Sequence, residues 1–520
     1  MFVYMLTLAP GVTPWDSGEF LAAIHGLGIP HPPGTPLYVL LARVWSMVFA
    51  EVFGFARAIN LFSAVCTALG CGILAELFAK WTGDGFAATA GGIAAGLMST
   101  VWLSATETEV YAAALLFGCI ILWAADRAGE RSDMRWALLA AYLSGLAWTL
   151  HLTALLVVPS AILLVFSTRD GYFAVPVGRR YVDGRREVHS FSRLLKASIL
   201  VALVGMTCVL FLLIRARHDP PINQGNPSNV RALIDVVLRR QYAVAPVWPR
   251  QAPIYLQIGN LFEYADWQFA RGLAQDAPPS LWRTPVTVVY AVLGIVGFFA
   301  HRTMDRRSWR AMALLFFVST LGVVAYLNLK AGPSFGVGYL PPNALHEARE
   351  RDYFFFFGFV CWGLWAGFGS IRLSRLVRPP MSTLAIILPF APALFNWAAV
   401  DRRTNADEAK ARVESGEMLS RVPPAGVFLA IGDNDTYPLW YLQQAEGTRR
   451  DVTIVTVPLL GAKWYRAELA RRYKLLDSTA VNRWLGADST VALITKRSYD
   501  QNRPVIHSPF FALDSAKASK

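Results

Sequence analysis

Apolar runs of membrane-spanning length recur through the first 400 residues and leave few folds open to this chain. A helix needs about 20 apolar residues to cross the hydrocarbon core of a bilayer. The composition agrees, because 54% of the residues are hydrophobic and only 16% are charged. We therefore predict an α-helical polytopic membrane protein. The runs expected to cross are 58–78, 86–103, 110–125, 136–166 as a hairpin of two crossings, 197–214, 284–300, 311–329, 354–369 and 382–400.

The formal net charge of +13 is explained by membrane topology. In a soluble protein such a charge would suggest a nucleic-acid partner, but here the arginines cluster in short loops between apolar runs. The basic loops include 127–135, 169–196, 301–307 and 372–378. Cytoplasmic loops carry an excess of Lys and Arg, although long loops follow this rule less strictly. We expect these loops to be cytoplasmic, and we expect no nucleic-acid partner.

Acidic and histidine side chains gather on the opposite, extracytoplasmic side of this predicted topology. They are Asp16, Glu19, Glu107, Glu109, His151 and the Arg349–Asp352 segment, together with a long polar loop at 215–283. Loops this long are usually functional or disordered. The gathering suggests a site at the extracytoplasmic surface, although a solvated outer face would produce the same pattern.

All five cysteines lie within apolar runs, and no metal-ligand spacing of Cys and His occurs. We predict neither a disulfide framework nor a structural zinc site. Residues 1–10 lack a basic start and are too short to span, so we expect no cleavable signal peptide there. We expect either a truncated first span or a start that was assigned late.

Asp16 and Glu19 follow the first short apolar run and would share one face of a helix. Carboxylates beside a membrane are costly to desolvate, so the pair is expected to face an aqueous cavity. The alternative is a helix N-cap with a reciprocal glutamate. From these residues alone the capping interpretation is favoured, and it is compatible with a catalytic base.

The residues after this pair predict a turn and then an amphipathic helix. His31-Pro32-Pro33-Gly34 favours an extended, non-helical turn, because each proline fixes its own φ and restricts the residue before it. Residues 36–53 are apolar but interrupted by Arg43 and Glu51. They could span, but we favour a helix lying in the membrane interface.

After residue 400 the composition becomes that of a soluble domain. Strand-like runs at 425–431 and 451–460 alternate with helical segments at 437–444 and 464–475. This order predicts a small C-terminal α/β domain, residues 401–520, with parallel strands. Asp433 and Asp435 follow the first strand, where such sheets place ligand groups. Asx-turn chemistry is an equally good explanation of both.

The amino-terminal pattern resembles the lipid-phosphate-sugar-dependent glycosyltransferases of the GT-C fold. In protein O-mannosyltransferases and lipid A aminoarabinose transferases, an acidic pair follows the first span. A His/Lys-Pro-Pro motif, an interfacial helix and an Arg plus Ser-Ala second span come next. The matching residues here are Asp16 and Glu19, His31-Pro32-Pro33, 36–53, and Arg57 with Ser63-Ala64.

A closer resemblance covers nearly the whole chain. The motifs D-S-G-E-F, H-P-P-G-T-P-L, E-R-D-Y-F and G-D-N-D-T-Y-P-L-W-Y occur in the order typical of one bacterial membrane family, the domain of unknown function twenty-seven twenty-three. Its animal relatives are endoplasmic-reticulum O-mannosyltransferases of plexin-type receptor domains. The chain departs from the family in its abbreviated first span and in lacking the carboxy-terminal helical repeats of some relatives.

The resemblance implies inverting transfer of a sugar from a polyprenyl phosphate to a hydroxyl. Asp16 is the expected base, with Glu19 as its partner or as the residue that positions the acceptor. Arg349 and Arg351 are expected to bind the leaving phosphate, although pairing with neighbouring acids or lipid headgroups explains them equally well. The weaker phosphate candidates are Arg57 and His151, and the other site candidates are His31, Glu107, Glu109, Asp352, Asp433 and Asp435.

Metals, partners and location follow from the same resemblance. Carboxylates suit Mg²⁺ or Mn²⁺, but lipid-monophosphate donors often need no metal in this fold, so no cofactor is expected. The expected partners are a lipid-linked sugar, the bilayer and a hydroxyl acceptor on protein or glycan; only the distant eukaryotic relatives suggest mannose. We expect a multi-pass protein of the bacterial cytoplasmic membrane, with its active site and C-terminal domain extracytoplasmic.

Two other functional classes compete with this prediction. A transporter or flippase for a lipid-linked sugar usually places polar groups near the bilayer midplane, often on broken helices within internal repeats. The sequence shows no repeat, and its ionisable residues favour one surface. The third class is a non-catalytic scaffold whose outer domain binds a partner around Gly432–Thr436.

Overall fold

The fold is seen in a computed structural model of the chain. It describes residues 1–168, 180–182, 185–187, 191–242, 245–274, 279–336, 340–341, 344–404 and 406–510. Part of the basic 169–196 loop, including Arg179, therefore lies outside the described residues.

The described residues contain seven helices long and apolar enough to cross a membrane. These are Pro36–Phe53, Phe55–Thr82, Val110–Arg131, Phe191–Arg217, Thr284–Met304, Arg306–Leu327 and Asp352–Ser374. The predicted polytopic helical fold is confirmed. Pro36–Phe53 meets the same criteria of length and composition as the other six, so its interfacial location stays a prediction.

The remaining helices are shorter. Before residue 400 they include Phe2–Thr7, Ser17–Gly26, Gly85–Gly96, Ser99–Ala105, Met134–Leu150, Leu152–Val165, Val230–Val237, Ile254–Asp266, Met381–Phe390, Pro392–Phe395 and Trp397–Val400. After residue 400 they are Ala406–Ser420, Asp433–Gln444, Lys463–Tyr473, Ser478–Asn482 and Ala487–Asp500. The strands Arg180–Val182 and Arg185–Glu187 pair antiparallel.

The predicted crossing at 86–103 is broken rather than continuous. Gly85–Gly96 and Ser99–Ala105 meet at an angle of 73°. The backbone freed at the break is satisfied from outside, because the Asn396 amide donates to the Leu97 carbonyl at 2.9 Å and Ser99 N–H donates to the Gln268 carbonyl at 2.8 Å. A helix can break in a membrane protein where other groups replace the lost bonds.

The predicted crossing at 382–400 is also interrupted. Met381–Phe390 is shorter than a span and is followed by two four-residue helices. Pro389 and Pro392 lie at these breaks, where a proline lacks the N–H that a continuous helix needs. The run at 136–166 forms two helices, Met134–Leu150 and Leu152–Val165, with His151 between them. Neither is among the seven helices of spanning length and composition, so the hairpin of two crossings stays a prediction.

Helix Asp352–Ser374 lies at the centre of the bundle and is almost entirely buried. Glycines allow its neighbours to approach closely. A Cβ at Gly363 would lie 2.6 Å from Ala95 Cα, and one at Gly297 would lie 1.9 Å from the Trp365 carbonyl. Small residues at such contacts are the usual basis of helix packing in membranes. The amino-terminal end of this central helix carries Asp352 and Tyr353.

The C-terminal region contains the predicted parallel sheet. Val427–Ala430 lies between Thr453–Thr456 and Val505–His507, and both neighbours run parallel to it. The two predicted strands are confirmed within shorter bounds. The third strand and the preceding helix, Ala487–Asp500, were not predicted, because their polar surroundings give no apolar run.

The C-terminal domain touches the amino-terminal acidic segment directly. Helix Ser17–Gly26 packs against helix Asp433–Gln444. Gly18 lies at the closest point, where an added Cβ would come within 2.5 Å of the Tyr437 carbonyl carbon and oxygen. The backbone of Tyr437 cannot move aside as easily as a flexible side chain could, so a residue larger than glycine at position 18 would not fit at this contact.

We expect Gly18→Ala to lower the unfolding temperature, because the new methyl group would separate these two helices. Gly26→Ala in the same helix is the matched control, since nothing lies within 4 Å of a Cβ there. Alanine is favoured over glycine in a helix by about 1 kcal/mol, so the control should be neutral or stabilising. Thermal unfolding in detergent measures both, and equal melting temperatures would contradict the contact.

Candidate active site

Asp16 lies immediately before helix Ser17–Gly26. Its position is fixed by a contact of the preceding residue with Asn434 and by its own contact with Arg349. The preceding residue, Trp15, has a left-handed backbone, φ 63°, and its N–H donates to Asn434 Oδ1 at 2.6 Å. The Asp16 carboxylate makes no capping bond to its own helix. It accepts instead from Arg349 Nη2 at 2.8 Å. The capping interpretation of Asp16 is therefore wrong, because the carboxylate turns toward a distant part of the chain.

The charges around Asp16 keep it ionised. Its side chain is 14% exposed and that of Arg349 is 16% exposed. Burial alone would raise the pKa of Asp16, but the positive charges of Arg349 and His31 outweigh it and lower the pKa below its usual value. At neutral pH the group is a carboxylate able to accept a proton.

Two arginines are held by one tyrosine hydroxyl. Arg349 Nε donates to Tyr353 Oη at 2.9 Å, and Arg351 Nη1 donates to the same oxygen at 2.6 Å. The Arg349 guanidinium also lies over the rings of Trp15 and Tyr353, at 5.1 and 4.8 Å from their centroids. Such stacking is attractive for a guanidinium. The guanidiniums are thus fixed before any ligand binds.

The Glu19 carboxylate contacts His31 and the long loop rather than the backbone at the start of its own helix. Its buried carboxylate accepts from His31 N–H at 2.7 Å and contacts His31 Nδ1 at 2.5 Å. It also accepts from the Gln224 amide. The interpretation of Glu19 as the N3 partner of a capping box is wrong, because these three contacts occupy both of its oxygens. Glu19 fixes the ring of His31 and the long loop that carries Gln224.

A cavity of about 520 Å³ opens beside this centre. Its lining includes Trp15, Thr100, Leu103, Ser104, Glu107, Glu109, Tyr111, Arg271, Arg349, Glu350, Asp352, Tyr353 and Arg402. Both signs of charge face it, so the cavity suits a ligand with an anionic group and hydroxyls. Within the part of the chain that is described, no three His, Cys, Asp or Glu side chains come together to hold a metal ion.

The acids that line this cavity are engaged in different ways. Glu107 pairs with Arg402 at 2.6 Å and accepts from Thr13 Oγ1 at 2.9 Å. Asp352 accepts from Thr100 Oγ1 at 2.6 Å. Glu109 caps helix Val110–Arg131, and burial, with the nearby charges of Asp16 and Glu107, raises its pKa. Protonation of Glu109 is therefore favoured relative to a free carboxyl group.

The other predicted residues lie outside the cavity lining. Arg57 is exposed near the start of helix Phe55–Thr82. His151 accepts from Thr153 N–H at 3.2 Å and packs edge-on against Tyr111, one layer behind the cavity wall. Asp433 is exposed beside Asn434.

Asp435 is a turn residue in the structure. It is buried and accepts from Ile431 and Gly432 N–H at 2.9 and 2.7 Å. The Asx-turn explanation therefore holds for this aspartate. Its carboxylate closes the turn that presents Asn434 to Trp15 and is not available to a ligand.

Sequence reasoning missed several residues of this centre. They are Tyr353, Gln224, Arg271, Arg402 and Asn434. Tyr353 adjoins the predicted arginine segment and could have been added to it. The others come from loops whose position relative to Asp16 is a property of the fold, and no local pattern signals that position.

Comparison with known proteins finds similarity to one group of proteins over two stretches of the chain. Residues 16–172 match the model described as "Protein O-mannosyl-transferase TMEM260 N-terminal domain", and residues 411–492 match "TMEM260-associated domain 2". Mouse "Protein O-mannosyl-transferase TMEM260" is 33% identical over 511 residues. The chain is a relative of the TMEM260 proteins. The expected similarity to protein O-mannosyltransferases is confirmed.

The TMEM260 relatives are longer than this chain. The mouse alignment covers 90% of this chain and 63% of the mouse protein. The Dictyostelium discoideum protein, "Protein O-mannosyl-transferase tmem260", is 21% identical, with 89% of this chain and 57% of that protein covered. The chain thus spans about three fifths of the length of these relatives.

Solved structures show the same fold. ArnT from Cupriavidus metallidurans, bound to undecaprenyl phosphate, superposes with a TM-score of 0.53 at 10% identity, covering 87% of both chains. Its apo form gives 0.52 over 89% of both. At this identity the likeness establishes the fold alone, and it confirms the GT-C-like architecture.

The buried pair of His31 and Glu19 predicts a pH-dependent stability. Burial by itself lowers the pKa of His31, but the carboxylates of Glu19 and Asp16 outweigh it and raise the pKa from 6.5 to about 9. A raised folded-state pKa contributes stability that is complete below pH 6.5 and is lost as the pH rises through about 9. We expect His31→Gln to abolish this loss, measured as unfolding temperature between pH 6 and 10.

The control for this experiment is His218→Gln, at an exposed position just after helix Leu210–Arg217. It should keep the slope of the unmodified protein. A His31→Gln protein that loses stability between pH 6.5 and 9 as steeply as the unmodified one would contradict the His31–Glu19 assignment.

Proposed function

We propose that this protein is an inverting glycosyltransferase that moves a sugar from a polyprenyl phosphate to a hydroxyl group. The observation that carries the proposal is the contact of Asp16 with Arg349 at the wall of a polar cavity. The proposed base, Asp16, and a phosphate-binding cation, Arg349, are then close enough for one bound ligand to contact both.

Asp16 acts as the base in this proposal. The acceptor oxygen attacks the anomeric carbon, the bond from that carbon to the phosphate oxygen breaks, and the phosphate leaves with the electron pair. The acceptor proton passes to the Asp16 carboxylate, which its low pKa keeps ionised. Arg349 holds the carboxylate in place through one nitrogen.

Arg349 and Arg351 stabilise the leaving phosphate. Guanidinium groups bind phosphate oxygens at two points, and cations fixed in advance stabilise developing charge without reorganisation. Tyr353 fixes both groups. Arg349 also lines the cavity, so a donor phosphate placed there would lie beside the base. His31, Glu107, Glu109 and Asp352 complete the charged surroundings.

The proposed sugar and acceptor rest on the similarity to the TMEM260 relatives, and the proposed membrane side of the site rests on the distribution of arginines among the loops. The printed names of the TMEM260 relatives support mannose as the sugar and a protein hydroxyl as the acceptor. The arginine-rich loops support an extracytoplasmic position for the site and the C-terminal domain. We place the boundary between the membrane and soluble parts near residue 400, Pro36–Phe53 in the interface, and the protein in a bacterial cytoplasmic membrane.

Asp16→Asn should reduce sugar transfer by about 100-fold or more, the usual contribution of a general base. The test incubates purified protein in nanodiscs with radiolabelled polyprenyl-phosphate mannose and follows labelled product. Glu51→Gln, an exposed acid at the end of helix Pro36–Phe53, is the control. Near-normal turnover by a folded Asp16→Asn protein would defeat the assignment, and movement of intact donor between leaflets without cleavage would indicate a flippase.

Arg351→Ala should raise the apparent KM for the donor and leave the acceptor KM unchanged, because the guanidinium is proposed to contact only the phosphate. Arg57→Ala is the matched control, since that arginine is exposed, whereas Arg351 is partly buried and is held by the Tyr353 hydroxyl. Initial rates at varied donor concentration measure both. An unchanged donor KM in Arg351→Ala would show that this arginine is only structural.

A further inference from the structure

A second groove is separate from the cavity beside Arg349, here called the donor cavity, and shares no lining residue with it. It has a volume of about 380 Å³. One wall is the loop and helix at 225–241, and the other is the start of helix Lys463–Tyr473. The lining residues include Asn226, Ser228, Asn229, Asp235, Gln241, Lys463, Trp464 and Ala467. We call this the amide groove.

The walls of the amide groove are held together by ion pairs. Arg471 binds both oxygens of Asp219 at 2.7 Å, and Arg472 donates to the Pro220 carbonyl at 2.8 Å. Trp464 Nε1 donates to Gln241 Oε1 at 3.2 Å. A bidentate arginine–carboxylate pair fixes orientation as well as distance, so the groove exists before any ligand arrives.

The groove is joined to the catalytic centre through the long loop. Gln224 N–H donates to the Ile29 carbonyl at 3.0 Å, and the Gln224 side chain donates to Glu19. Gly225, the next residue, begins the groove wall. At the other end of that wall Tyr242 follows Gln241, and burial together with the charges of Glu19 and Asp16 raises the pKa of Tyr242. Both ends of the wall therefore approach the Asp16–Glu19 pair.

The chemistry of the groove suits an extended polypeptide. Within the described residues, the side-chain nitrogens of Asn226, Asn229 and Lys463 have no hydrogen-bond partner, so they can donate to carbonyl groups. Trp464 is half-buried and offers apolar surface. Among the described residues, Lys463 is the one cation and Asp235 the one acid that line the groove. Ala232 and Val236 add apolar surface beside the amides, a mixture that suits the backbone and side chains of a polypeptide, whereas one lysine offers a phosphate no cluster of cations.

The position of the groove also fits the proposed reaction. In an inverting displacement the acceptor oxygen and the leaving oxygen lie on opposite sides of the anomeric carbon. The donor cavity adjoins Arg349, whereas the amide groove adjoins the Glu19–Gln224 side of the same centre. A chain in the groove could place a hydroxyl at Asp16 from the side away from the donor phosphate.

We propose that the amide groove binds the polypeptide acceptor, presenting a serine or threonine hydroxyl to Asp16. This inference rests on the proposed function and adds the acceptor's binding site to it. Ala467 lies in the wall, half-buried, so a larger side chain there would fill the groove without touching the cavity beside Arg349.

The experiment compares Ala467→Trp and Lys463→Ala with the unmodified protein in nanodiscs. Labelled polyprenyl-phosphate mannose is the donor, and three acceptors are offered separately: Ser/Thr-containing peptides, a mannose oligosaccharide and a lipid with a free hydroxyl. We expect peptide labelling to fall at least tenfold in Ala467→Trp and by less in Lys463→Ala. Retention of labelled donor on the protein should be unchanged. Tyr499→Ala, an exposed aromatic position on another helix of the same domain, should behave as unmodified protein.

A binding measurement covers the case in which Ala467→Trp fails to fold. Four of the five native cysteines are buried and Cys208 is half-buried, so Ala467→Cys adds an accessible thiol. Its modification by a maleimide should be slowed by the peptides and not by the oligosaccharide.

Three outcomes separate the proposals. Unchanged peptide labelling in a folded Ala467→Trp protein, or labelling of oligosaccharide or lipid in place of peptide, would overturn the groove assignment and leave the proposed function standing. Equal maleimide rates with and without peptide would also overturn it. Absence of labelled product from the unmodified protein with every acceptor would contradict the proposed function, and the groove assignment with it.

Discussion

The ion pair between Asp16 and Arg349 is the interaction on which the site depends. It joins residues 333 positions apart in the chain and links the amino-terminal helix to the segment that begins the central helix. Neither group is more than 16% exposed, and removing one partner of a buried pair is strongly destabilising because it leaves an uncompensated charge. The pair therefore orders both loops and keeps the carboxylate ionised.

The C-terminal domain completes the site rather than standing apart from it. Asn434 holds the backbone of Trp15, and Gly18 allows the two helices to meet. The long loop contributes Gln224 to Glu19 and pairs with the same domain through Asp219. Because three distant segments meet at Asp16, a change in docking of the soluble domain would alter the position of the base.

Sequence reasoning went furthest where a local pattern decides the outcome. Apolar length predicted the membrane helices, and alternation of strand-like and helical runs predicted the parallel sheet. It failed at 86–103, where a continuous crossing was predicted but the helix is broken. Asn396 and Gln268 form hydrogen bonds with the backbone groups freed at the break, and hydrophobicity does not reveal these bonds. It also failed for the capping interpretation, because Asp-x-x-Glu fits a capping box. Only the fold brings Arg349 to the aspartate and His31 to the glutamate.

The most direct test of the central claim is a structure of the protein in lipid with a non-hydrolysable polyprenyl-phosphate sugar. The account predicts the phosphate against the Arg349 guanidinium, which lines the cavity of about 520 Å³, and within reach of Arg351, with the anomeric carbon facing the Asp16 carboxylate. A phosphate bound away from both arginines, or at the opposite end of the bundle near Arg307, would contradict it.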